Sequence, residues 1–252
     1  MPRFKDQAIC IRHFEWSETS QVVALLTQEH GKVRGLAKGS KRTSPGAVAR
    51  FSGGIELLTR GEAVGVTKPT TDLATLTEWD LQNPYHHLRK NLVAQRCAMY
   101  AADLTNAFAA DHDPNQAIFN AMAQFLQTLA RPPERAQALL RFQWSLLNEC
   151  GYQPELDRDV RSGQSLPATA SYTFDPQAGG LTTAEVAGTD HAGAGPWRVR
   201  RETVEALRIN ADDHVSSPQA IVRANRLLCV YARSILDRPL PTMDFVLTSD
   251  KM

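Results

Sequence analysis

"AICIRHFEWSETSQVVALLTQEHGKVRGLAKGSKRTS", residues 8–44, decides how the front of this chain folds. It holds three short runs rich in Val, Ile, Leu and Thr: AICIRHF, QVVALLT and KVRGLA. Turn residues separate them. Two further runs of the same kind, GIELLTRG and LATLTEW, follow before residue 80. Gly31, Gly39, Gly53, Gly54 and Gly61 lie between or beside these runs. Short strands at such spacing predict a small closed or nearly closed β-barrel. Five strands in so short a stretch is the count of an OB-fold, although an SH3-like barrel shares the pattern.

The second half of that stretch raises a question of charge. From His30 to Arg50 it carries Lys32, Arg34, Lys38, Lys41, Arg42 and Arg50, and no acidic residue. The whole chain is nearly neutral at +1. A uniformly basic nucleic-acid coat is therefore excluded, but a local basic patch is not, because field strength depends on where charges sit. A solvated, solubilising loop is the bland explanation. Three features favour binding: the cations alternate with Gly and Ala, which lets a phosphate backbone approach the main chain; the run lies between strands; and OB-type barrels often carry single strands in a grooved face. Read as a strand–turn–strand hairpin meeting six phosphates, it predicts a salt slope of about −4. Phe14, Trp16 and Phe51 are the nearby aromatics that could stack on bases. So few platforms imply binding indifferent to sequence.

Working outward, the period changes after Asn83-Pro84. Leu88, Leu92, Cys97, Tyr100, Leu104 and Phe108 share one helix face, and "DHDP" at 111–114 interrupts it as a polar turn. Asn115 to Leu129 predicts a second helix, and the proline pair after Arg131 starts a third, which Gly151 is placed to cap. Residues 151–196 are rich in Gly, Pro, Ser, Thr, Ala and Asp, which predicts a loop-rich insertion with one hairpin. Helical pattern returns near 200–210. It is strongest at 217–236, where Ser217-Pro218 is a good start signal.

The four cysteines, Cys10, Cys97, Cys150 and Cys229, are far apart and read as small buried apolar residues in a reducing compartment. The N-terminus resembles no signal peptide and no run is long enough to span a bilayer. The expected location by default is cytoplasmic.

The residues of the opening stretch resemble the start of the RecO family of bacterial DNA-repair mediators. The pieces are Glu18 and Ser20 before VVALLT, then Thr27, Glu29, Gly31, Lys32 and Val33, then Ala37, Lys38, Gly39, Arg42 and Ser44. "LLNECGYQPELDRDVRSGQSLP" and "YTFDPQAGGL" are similar to two later segments of that family. The resemblance implies an OB-fold followed by a helical domain. It implies a mediator without a catalytic site, which binds single- and double-stranded DNA and anneals complementary strands. With RecR it would help load RecA onto strands coated by single-strand-binding protein (SSB). The DNA contacts would be Lys32, Arg34, Lys38, Lys41, Arg42 and Arg50. The acidic, apolar-ended SSB tail would dock on the helical domain, with Arg89, Lys90, Arg96, Arg223 and Arg226 as rim residues.

This chain departs from the family at a metal position. Many members carry two C-x-x-C pairs, a tetrahedral thiolate site for zinc. Here the pairs fall at Asp159 and Ser162, and at Thr183 and Val186. Asp157 and His191 are near in sequence, but spacing gives no reason to assemble them. No metal and no cofactor are expected. Leu156, Leu166, Phe174 and Leu181 would hold the insertion by packing. His86-His87 points two ways on a helix, and the phosphate-loop and nucleophile-elbow patterns are absent.

The expectation is an α+β, multi-domain protein. An OB-fold covers 1–80, and a helical domain 81–150 and 197–240. A loop-rich, metal-free insertion at the zinc-ribbon position covers 151–196, and a tail 241–252. Two rivals stay open: an RNA- or tRNA-binding OB module, and a hydrolase with a site in the insertion built on Asp157 or Asp159.

Overall fold

The computed structural model describes residues 2–14, 16–68, 71–183, 195–208 and 216–248. Strands β1 (Arg3–Phe14), β2 (Gln21–Thr27), β3 (Lys32–Ala37), β4 (Arg60–Lys68) and β5 (Thr71–Asn83) close a barrel in the order β1-β2-β3-β5-β4. Neighbours are antiparallel except β3 and β5, which run parallel. The β1–β4 pairing completes the closure. Helix α1 (Pro45–Phe51) fills the connection between β3 and β4. This is an OB-fold. Strand β2 is buried at every position, which is why its sequence is a continuous apolar run rather than an alternation.

Two features of the barrel differ from the sequence expectation. The stretch 30–50 is not a hairpin: β3 is followed by a turn and then by α1, started by Ser44 and Pro45. Phe51 at the end of α1 is fully buried in the barrel core, so it offers no platform for a base. The fourth strand begins at Arg60 and not at Gly54. Ile55 and Leu58 of the intervening run are buried without strand pairing of their own. Leu58 sits at φ +61°, and its N–H donates to the Cys10 carbonyl (2.8 Å). The Cys10 N–H in turn donates to Thr59 (3.0 Å). The apolar run enters the core through this kink, a strained conformation that surrounding contacts must hold.

By packing, the chain divides into two compact units, Met1–Ala130 and Arg131–Met252. The first holds the barrel with α2 (His86–Arg89), α3 (Leu92–Phe108) and α4 (Gln116–Thr128). The helical stretch after Pro84 is not continuous. Asn91 breaks it, its side chain accepting the Ala94 N–H (3.0 Å) as the cap of α3, and Leu92 is left exposed. Asn115 caps α4 the same way through Ile118 (3.0 Å).

The second unit holds α5 (Arg135–Glu149), a three-stranded sheet, and α6 (Arg201–Arg208), α7 (Pro218–Leu236) and α8 (Asp244–Thr248). Strands β6 (Ser171–Asp175) and β7 (Gly180–Thr182) form the expected hairpin. Strand β8 (Trp197–Arg200) joins it from beyond the insertion. Phe174 anchors this unit against Trp197 and Tyr231, with ring centroids 5.1 and 5.3 Å apart. Helices α5 and α7 are pinned by a buried amide pair: Gln143 Nε2 donates to Asn225 Oδ1 (2.7 Å), and Asn225 Nδ2 to the Ala136 carbonyl (2.9 Å). Cys10, Cys97 and Cys229 are buried, and burial pushes the Cys10 thiol up to about 12, which makes it inert. Among the described residues, no helix is long and apolar enough to cross a membrane.

Candidate nucleic-acid interface

The turn that leaves β3 is built by the loop that joins β1 to β2. The Lys41 N–H donates to the Thr19 carbonyl (3.1 Å), and the Gly39 N–H to Ser20 Oγ (3.1 Å). Gln21, buried at the start of β2, is the fastener. Its Oε1 accepts from Ser40 Oγ (2.9 Å) and the Ile55 N–H (3.0 Å), while its Nε2 donates to the Ile55 carbonyl (2.9 Å). Gly39 adopts φ +69°, which lets the turn close. With the backbone held from below, Lys38, Lys41 and Arg42 are exposed. None of the three has a salt bridge among the described residues. Lys41 Nζ reaches the Ser17 carbonyl at 3.5 Å. Beside Ser17 stands Trp16, 62% exposed. Nothing in the core requires an indole there. Glu18 is exposed on the same loop. Partial desolvation, and secondarily the Lys41 charge, lowers the His13 imidazole from its ordinary value.

The other basic residues of the stretch have different fates. Lys32 is buried. Its Nζ donates to the Asn106 carbonyl (2.7 Å) and pairs with Asp111 (3.2 Å). Burying an ammonium demands such partners, so Lys32 is a structural cation, which corrects the expectation that it faces phosphate. Arg34 is half-exposed but reaches the other oxygen of Asp111 at 3.4 Å. Arg50 lies on α1, its Nε donating to Gly46 O (3.2 Å) and its guanidinium 5.9 Å from the Phe51 ring centre. The stretch therefore brings Lys38, Lys41 and Arg42 together and sends Lys32, Arg34 and Arg50 elsewhere. Phe14 is covered on one side by Arg12, 5.5 Å from its ring centre. Trp16 remains as the open aromatic among the three considered.

In the second unit, the turns of the insertion close on a carboxylate. Asp159 is buried, and Oδ1 accepts the N–H groups of Arg161 (2.9 Å) and Ser162 (3.0 Å). Oδ2 accepts the Thr183 N–H (2.6 Å) and Oγ1 (2.7 Å), and Thr182 Oγ1 lies 3.2 Å away. The Thr183 donors first, then the Ser162 N–H, hold this carboxyl well below the usual carboxylate range. Thus Asp159 joins the turn at 159–162 to the strand end at 182–183, where the resemblance placed the two thiolate pairs. These residues do not fit a zinc ion: the carboxylate oxygens are committed to N–H and O–H donors, and Ser162 and Thr183 bring no thiolate. Val186 and His191 lie outside the described residues. Leu156, Phe174 and Leu181 are buried as expected, with Leu166 half-buried. Asp157 is exposed and pairs with Arg208 (3.2 Å). Asp157 and Asp159 thus form no shared hydrolytic centre. No group of three or more His, Cys, Asp or Glu side chains placed to hold a metal ion occurs among the described residues.

The second unit also carries a groove of about 700 Å³ between β8, α6 and α7. Trp197, Val199, Val222, Leu227 and Val230 line it, with Arg198, Arg200, Arg223 and Arg226 around them. Glu202 takes one guanidinium nitrogen of Arg223 at 2.8 Å. Of the rim residues considered in the first unit, Arg89 is paired with Glu56.

Comparison with known proteins decides the family. A model described as Recombination protein O N terminal matches residues 1–85, and one described as Recombination protein O C terminal matches residues 89–243. The chain belongs to the RecO family. A protein of Anaeromyxobacter sp. (strain Fw109-5), named DNA repair protein RecO, is 30% identical over 195 residues, 77% of this chain and 74% of that protein. One of Geobacter metallireducens with the same name is 28% identical over 249 residues, 98% of each chain. The family boundary near residue 85 follows the end of β5, whereas the packing boundary falls after α4.

Proposed function

We propose that this protein is a recombination mediator of DNA repair. It captures single- and double-stranded DNA by the phosphate backbone, anneals complementary strands and, with RecR, assists the loading of RecA onto SSB-coated single strands. It works by binding, without a bond-breaking step, in the cytoplasm at the nucleoid. The observation that carries the reading is the fastened turn: three exposed cations held on a rigid backbone beside an exposed tryptophan. Cations on such a scaffold neutralise phosphates with little ordering cost, and an indole stacks on a base of any identity. Three phosphate contacts predict a salt slope near −2 on single strands, shallower than six would give. The arginine-rimmed apolar groove of the second unit supports docking of the SSB tail, since its rim complements acidic residues and its floor an apolar end.

The test is strand annealing with the cognate SSB present. The wild-type protein should anneal complementary SSB-coated oligonucleotides, and Lys38→Glu with Arg42→Glu should not. Val222→Asp, in the groove, should weaken binding of an SSB-tail peptide in fluorescence anisotropy while leaving binding to naked DNA intact. Annealing by the charge-reversed protein at the wild-type rate would refute the assignment of the turn. A strong preference for RNA over DNA of equal length would replace the substrate.

A further inference from the structure

The "DHDP" loop between α3 and α4 is more than a polar turn. Asp111 pairs with Lys32 in a parallel bridge, and the His112 N–H donates to the Lys32 carbonyl (3.0 Å). A Cβ on Gly31 would lie 2.4 Å from the Asp113 carbonyl oxygen, so glycine there permits the loop's close approach. The loop is thus laid against the start of β3, and it carries one carboxylate to the two cations at that end.

Alternation along β3 gives Lys32, Arg34 and Leu36 one face, and Lys38 continues the same parity just past the strand end. Arg34 and Lys38 are four residues apart, roughly 13 Å along an extended chain. A nucleic-acid backbone held at Lys38 and followed along β3 would meet Arg34 next. In this structure the guanidinium is already met by Asp111, an oxyanion in place of a phosphate.

We infer that Asp111 is a built-in competitor for nucleic-acid phosphate, occupying Arg34 and so limiting how far along β3 a bound strand is gripped. This rests on the DNA-binding reading of the turn at 38–42. The carboxylate sits 40% exposed, within reach of displacement, and Arg34 is 53% exposed, whereas Lys32 is buried and stays with the fold. The effect is to hold affinity below its maximum, which suits a protein that must release the strands it joins.

The experiment is a mutant cycle read by fluorescence anisotropy on a labelled oligothymidylate across a salt series. Asp111→Asn should tighten binding about two- to fivefold, the scale of one exposed ion pair released to a new partner. It should also steepen the salt slope by about 0.7, one further phosphate contact. In an Arg34→Ala background the same substitution should give no gain. An Asp111→Asn protein that binds like wild type overturns the inference, and so does a gain that survives in the Arg34→Ala background. A wild-type protein that does not bind the oligonucleotide at all overturns the DNA-binding reading and this inference with it. Should Asp111→Asn fail to fold, Lys32→Met with Asp111→Ser removes the buried cation together with its partner, and the same outcomes apply.

Discussion

The turn at 38–42 and the knot around Asp159 treat charge in opposite ways. In the turn, Lys38, Lys41 and Arg42 are exposed, and no carboxylate among the described residues pairs with them. In the knot, one carboxylate is buried and surrounded by donors from Arg161, Ser162, Thr182 and Thr183. The difference separates two uses of an ionised group. A charge whose partners are supplied by the chain itself holds the fold together. One that no carboxylate meets, on a backbone fixed by Gln21, is what the proposed reading assigns to phosphate. Lys32 belongs to the first kind although it sits in the sequence of the second.

The largest effect expected from breaking this contrast is on the knot. Asp159→Ala removes the shared acceptor of five donors, the buried Thr182 hydroxyl among them, and should lower stability by about 3 kcal/mol. Thermal unfolding checks it, with exposed Asp157→Ala as the control that should change little. The same carboxylate gives a pH signature. Its folded value is depressed, so its contribution is complete above the ordinary carboxylate range near pH 4 and is lost as pH falls through the depressed value. Acid unfolding of wild type should therefore carry a component that Asp159→Asn lacks, and identical acid profiles would remove the carboxylate's special role.

Next comes the turn. Lys38→Glu with Arg42→Glu should weaken single-strand binding by about thirtyfold or more at moderate salt, roughly 2 kcal/mol, with the melting temperature unchanged. An affinity within about twofold of wild type would show that the exposed cations are merely solubilising. A smaller loss is expected for Trp16→Ala, about 1 kcal/mol if one base stacks on the indole, read by anisotropy or by quenching of its fluorescence on binding. Smallest of all, Arg50→Ala on α1 should change affinity by less than about twofold. A loss as large as that of the turn variants would extend the interface onto the helix.

Most of the barrel was legible because its strands carry their own signals. QVVALLT and KVRGLA coincide with β2 and β3. The fourth strand was misplaced because GIELLTRG is as apolar as a strand, yet it enters the core through a left-handed Leu58. Helix α1 was missed although Ser44-Pro45 is the same start signal that marked α7 at Ser217-Pro218. At seven residues it is too short for periodicity to show. Gln21 had no signal at all, since a polar residue at a strand start is ordinary until its partners Ser40 and Ile55 are seen.

From composition and order alone came a small five-stranded barrel, a helical remainder and a basic stretch, while the family resemblance added the thiolates missing from the insertion. These follow from local propensity and from which atoms a side chain owns, and both travel with the residue. Which cations stay open, and what replaces the missing thiolates, depended on Asp111 meeting Lys32 and Arg34, and on Thr183 meeting Asp159. Those partners lie more than twenty residues away along the chain, and only the folded backbone sets the distances at which ions and hydrogen bonds act.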